Sequence, residues 1–135
     1  MTALDGMIAA KRIELDQAGA YFAWAADSAS AHAAGVCGTE ASYWRGRTAL
    51  NRMTARYFRE CPVGRDGGGV IAWLERWERI CQRRMDAEGF TPCLPGGPKH
   101  GYLFYADGIA MAARDALAVI RTGSALISDH ASVAS

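Results

Sequence analysis

"TPCLPGGPKHGYLFYADG" occupies residues 91–108, and how it is read decides the fold. Pro92, Pro95, Pro98 and the Gly96-Gly97 pair interrupt any helix across its first half. The aromatic run "GYLFYA" that follows, 101–106, has the composition of a short β-strand. A strand would need a pairing partner, and no other stretch of the chain reads as one. Residues 91–108 are therefore a Gly/Pro-rich connector between helices, and the chain is all-α.

The flanking sequence supports this reading. Upstream, Val70, Trp73, Leu74, Trp77, Cys81 and Met85 recur at helical spacing, from Asp66 as a cap to the stop at Gly89 and Pro92. Downstream, Ile109, Ala112, Ala113, Ala116, Leu117 and Ile120 give a helix from about Asp107 to Thr122, ended by Gly123. Nearer the N-terminus, Leu4, Ile8, Leu15, Ala18, Phe22, Ala25, Ala29 and Ala33 form one stripe over 3–33, closed by Gly35 and Gly38. Thr39 and Glu40 open a second helix that runs to Glu60 and stops at Pro62, with Tyr43, Leu50, Met53 or Thr54, and Tyr57 inward. The expected architecture is an antiparallel bundle of about four helices: one domain over 1–122 and a short or flexible tail over 123–135.

Bulk properties narrow the function classes. The chain has 135 residues, half of them apolar, 21% charged, and a net charge of +1. That is enough chain for its own core without metal or disulfide, and too little net charge for strong global attraction to nucleic acid or anionic membrane. No stretch approaches the roughly 20 apolar residues of a membrane span. Asp5, Lys11, Arg12, Glu14 and Asp16 break up any signal-peptide core, so a cytoplasmic location is expected. Cys37, Cys61, Cys81 and Cys93 then read as reduced thiols, with no C-x-x-C spacing. Alanine is abundant, and the only lysines are Lys11 and Lys99 against a large excess of Arg. This points to a GC-rich genome, hence a bacterium or its phage.

Three patterns carry candidate chemistry. Arg45, Arg52, Arg56 and Arg59 are spaced by seven, four and three, one line down the second helix. Residues 39–65 hold six arginines against Glu40 and Glu60, net +4, whereas residues 1–38 are net −2. With Trp44 beside them, these arginines form the expected partner-binding set. An acidic protein face is the leading partner, nucleic acid the alternative. The competing reading pairs the row with Glu14, Asp16 and Asp27 of the first helix.

The second pattern is a thiol or zinc site at one end of the bundle. The up-down topology brings His32, Cys37, Cys93 and His100 together there, with Lys99 and Asp107 nearby and Cys61 roughly 30 Å away at the other end. A thiol beside His100 or Lys99 would be activated, and two Cys with two His would suit zinc. The spacings C-x6-H and H-x4-C match no zinc motif, so no metal, cofactor or catalytic residue is assigned. The third pattern, "GRDGGGVIAW" at 64–73, puts glycines at a helix start, where an anion can sit. It lacks the G-K-[ST] ending of a P-loop and reads as a turn with close packing.

Trp44-x-Gly46, with Phe58 at a compatible spacing, resembles the W-x-G turn of the small helical-hairpin proteins exported by type VII systems. The resemblance implies Trp44 and Gly46 at a turn. The Tyr-x-x-x-acid export signal of those proteins is missing here: four residues after Tyr102 stands Ala106, and four after Tyr105 stands Ile109. The third and fourth helices also depart from a hairpin, so no family is assigned.

The expected function is thus a small non-enzymatic helical protein that binds another macromolecule. Such a protein would serve as an adaptor, a regulator or an inhibitor of the anti-defence (anti-CRISPR) kind. Exposed rings on the helices would also favour a two-fold homodimer.

Overall fold

The computed structural model of the chain describes residues 17–61, 68–90 and 101–134. Within them lie four helices and no strand: α1 (Ala18–Ala34), α2 (Gly38–Glu60), α3 (Gly68–Ala87) and α4 (Gly101–Ala134). The expected all-α bundle is what forms. Among the described residues, no helix is long and apolar enough to cross a membrane.

The helices make two antiparallel hairpins. In the first, Phe22 of α1 stacks on Phe58 of α2 at 5.8 Å, and His32 lies over Trp44 at 3.9 Å. In the second, Glu78 and Gln82 of α3 bind Arg114 of α4 at 3.1 and 2.6 Å, and Glu75 meets Arg121 at 3.6 Å. Glu75 and Arg79 are correctly spaced for a pair along α3, but the carboxylate is taken across the helix interface instead. Apolar spacing puts Val70, Leu74, Cys81 and Met85 inside, together with Leu103, Ala113 and Ile120 of α4. Helix α3 is closed by a turn at Gly89, whose φ of +63° suits glycine. The Phe90 N–H donates to the Met85 carbonyl at 2.9 Å and the Gly89 N–H to Asp86 at 3.1 Å, so the last carbonyls are satisfied by a Schellman turn.

The hairpins join where α2 crosses α4. Gly46 faces the backbone of Tyr105, and Gly108 faces the backbone of Tyr43. A methyl group on Gly46 would lie 3.0 Å from the Tyr105 carbonyl carbon and overlap its oxygen. One on Gly108 would lie 2.9 Å from the Tyr43 carbonyl carbon and overlap that oxygen. The contact is reciprocal: Tyr43-x-x-Gly46 on one helix meets Tyr105-x-x-Gly108 on the other. At such a crossing the glycine hydrogens point at facing carbonyls, a weak attraction available only without a Cβ.

Several boundaries differ from the sequence reading. "GYLFYA" is not a strand but the first turns of α4, which starts at Gly101 rather than about Asp107. Its end differs too, since the backbone is helical through Gly123 to Ala134. One glycine costs a helix only about 1 kcal/mol relative to alanine, and no proline follows it. Trp44 and Gly46 lie inside α2, not at a turn, so the W-x-G resemblance has no structural counterpart. In α1 the inward residue is Ala26 rather than Ala25. Leu4, Ile8 and Leu15 lie outside the described residues.

Gly46→Ala and Gly108→Ala each force apart two helices that no side-chain rotation can relieve. Each is expected to cost about 3 kcal/mol or more in urea denaturation, at the upper end for overpacked cores. Gly35→Ala is the control, since an added methyl there meets its nearest atom at 3.6 Å. It should change stability by less than about 0.5 kcal/mol.

Candidate functional site

Helix α2 carries five arginines, and the fold treats them in two ways. Arg47 is drawn into the structure. Its guanidinium binds the Asp115 carboxylate of α4 at 2.5 Å and donates to the Tyr43 hydroxyl at 3.1 Å. It also lies over the rings of Trp44 and Tyr43 at 5.5 and 5.8 Å. Its side chain is only 18% exposed. Nearby, burial pushes the Tyr21 phenol up, helped by the Asp115 charge. Half-buried Asp107 is also pushed up by burial, with Arg114 and Arg47 pulling the other way.

Arg45, Arg52, Arg56 and Arg59 are exposed and border two grooves. The first, about 290 Å³, runs between α1 and α2 and is lined by Ala23, Ala26, Met53 and Ala55, with Asp27 and Arg52, Arg56 and Arg59 at its edges. The second, about 460 Å³, continues across Arg52 to Arg45, with Ser30, Ala33, Thr48, Ala49 and Tyr105. The expected pairing of this row with Asp27 does not form among the described residues. Arg45, Arg52 and Arg59 make no ion pair there, and Arg56 meets only Glu60 of its own helix at 3.9 Å. That exposed i,i+4 contact neutralises little. Glu14 and Asp16 lie outside the described residues.

Trp44 stands apart from the row. It is half-buried under His32 and Arg47 and lines neither groove. The exposed rings are Trp24, Tyr102 and Tyr105, and of these Tyr105 reaches the second groove. Sequence reading missed both Tyr105 and the alanine floor contributed by α1. A spacing rule for α2 alone contains no signal for either.

Of the thiol or zinc set, His32 is held against Trp44, and Cys37 is exposed at the start of α2. Cys93, Lys99 and His100 lie outside the described residues. Among the described residues, no three His, Cys, Asp or Glu side chains come together as a metal cluster. Cys81 is buried between α3 and α4, and burial raises its pKa, which disfavours the nucleophilic thiolate. Cys37 and Cys61 flank opposite ends of the 23-residue α2, too far apart to bond. Gly69, from the glycine run at 67–69, packs close to the Tyr57 hydroxyl, where an added methyl would sit 3.1 Å away.

No protein-family model, curated protein or solved structure matches the chain.

The raised pKa of Asp107 fixes the sign of a pH effect. The folded state holds this proton more tightly than the unfolded chain does. The group therefore favours folding at low pH and loses that contribution as pH rises through its folded value. Asp107→Asn should accordingly have a higher melting temperature than wild type near pH 7. The advantage should fade toward about pH 3, as a thermal-denaturation series across pH would record.

Proposed function

We propose that this protein is a non-catalytic binding module whose docking surface is the arginine face of α2, and that its partner is an acidic region of another protein. One observation carries the reading: Arg45, Arg52 and Arg59 are exposed along two joined grooves with no carboxylate paired to them among the described residues. A row of guanidinium groups held on a rigid helix is a ready-made receptor for carboxylates, which arginine grips in a planar, bidentate manner. A core-facing arginine on the same helix, Arg47, shows the contrast, because its charge is fully engaged.

Nucleic acid is the second reading, since the same charges would hold phosphates. Bases also need rings to stack on, and among the described residues Tyr105 is the one ring that lines these grooves. An adaptor, regulator or inhibitor would all use such a surface. Trp44 supports it from behind by fixing α2 against α1.

The test is capture from a cell extract by immobilised wild type and by the Arg52→Glu/Arg56→Glu pair, with bound protein measured by quantitative mass spectrometry. The pair should lose at least about tenfold of one or more partners while melting like wild type, because both side chains are exposed. Equal recovery on both columns would remove the arginine face as the docking surface.

A further inference from the structure

The groove along α2 has a shape as well as a charge, and the shape selects a kind of partner. Its floor is Ala23, Ala26 and Ala55, with Met53, so a neighbouring backbone can come close. Ala26 and Ala55 are themselves almost fully buried, which makes the floor a fixed part of the hairpin rather than a mobile surface. Arg52, Arg56 and Arg59 stand along its α2 edge, three cations against the single carboxylate of Asp27 on the α1 side. From Arg45 to Arg59 the row spans roughly 21 Å at helical rise, the length of about four helical turns.

The spacing of the arginines matches the repeat of a second helix. Carboxylates placed at i, i+4 and i+7 on a helix lying alongside α2 would meet Arg52, Arg56 and Arg59 in register. A strand would repeat its same-face side chains at a different interval and lose register within two contacts. The alanine floor would receive the small apolar residues of that helix between its acidic positions. A single strand of nucleic acid fits less well, because alanine and methionine give bases nothing to stack on.

We propose that the α1–α2 groove docks an acidic amphipathic helix of a partner protein, about four turns long, with its carboxylates on Arg52, Arg56 and Arg59 and its small apolar face on the alanine floor. This rests on the reading of the arginine face as the docking surface and adds what kind of element it takes.

A displayed library of randomised peptides, about 16 residues long to match the groove, would be panned on the full-length chain. The selected peptides should carry Asp or Glu at i, i+3 or i+4, and i+7, alternate them with Ala or Leu, and gain helical circular dichroism on binding. Their affinity should fall as salt is raised. Two variants then separate charge from shape. Arg52→Gln/Arg56→Gln removes the charges, and Ala23→Trp fills the floor at an exposed position without touching the charges. Each should weaken the selected peptides by about tenfold or more.

Winners with no acidic periodicity, or full affinity for Ala23→Trp, would overturn the helix assignment. So would a thymidine oligonucleotide that binds more tightly than every selected peptide. If these fail while Arg52→Glu/Arg56→Glu still loses its cellular partners, the arginine face stands and the helical partner falls. If that pair loses none, both fall together.

Discussion

The backbone-to-backbone crossing of α2 and α4 is the constraint on which the other contacts rest. Two glycines, Gly46 and Gly108, let the carbonyls of Tyr105 and Tyr43 occupy space that any Cβ would fill. This approach fixes how the two hairpins sit relative to each other. Once α2 and α4 are this close, Arg47 reaches Asp115, and Leu50 and Ala55 join Ala112, Ala113 and Ala116 in one core. The alanine content of α4 follows from the same geometry, since helices that nearly touch leave no room for large side chains between them. The second core, around Cys81, Met85, Phe90 and Leu103, fills the end of the α3–α4 hairpin where α4 begins.

The same crossing decides which face of α2 is left open. Gly46 is turned toward α4, while Phe58 and Trp44 are held by α1 through Phe22 and His32. The remaining flank carries Arg45, Arg52, Arg56 and Arg59. The arginine row is thus where it is because both neighbouring faces of the helix are already committed to packing. Helix α1 adds a low wall of alanines beside it, which turns an exposed flank into a groove.

The sequence made the helices legible wherever periodicity was strong. Val70, Leu74, Cys81 and Met85, and Ala112, Ala113, Ala116, Leu117 and Ile120, are buried as their spacing requires. It misled where local composition competed with context. Tyr102, Phe104 and Tyr105 look like strand residues, yet they open α4 because Leu103 and Ala106 pack inward at helical spacing and no strand partner exists among the described residues. Gly123 looks like a stop but carries too small a penalty to end a helix alone. Gly46 and Gly108 were the least legible. Their role depends on two tyrosine carbonyls more than fifty positions away, and a single sequence does not display a pairing of that range. For the site, the arginine spacing was readable on α2 itself. What lay beyond reach was the groove, because half of its floor, Ala23 and Ala26, belongs to α1, and the engagement of Trp44, because its cover is His32.

The energetics of α2 argue that its arginine row is not there for stability. Arg52 and Arg56 are four residues apart, and Arg56 and Arg59 three, so like charges face each other along the helix. Such pairs destabilise an isolated helix by about 0.2–0.5 kcal/mol each. The one carboxylate paired to them among the described residues, Glu60, sits 3.9 Å from Arg56 at the exposed end of α2, where water screens the contact. Arg47 shows what a stabilising arginine looks like on this helix: low exposure, a carboxylate, a hydroxyl and two aromatic faces. Among the described residues, the exposed row has only the Arg56–Glu60 pair and keeps its repulsion. On the proposed docking of an acidic partner, Arg45, Arg52 and Arg59 would gain ion pairs that no described residue gives them. In that state the repulsion would be relieved, and Ala23 and Met53, the floor residues not already buried, would be withdrawn from water.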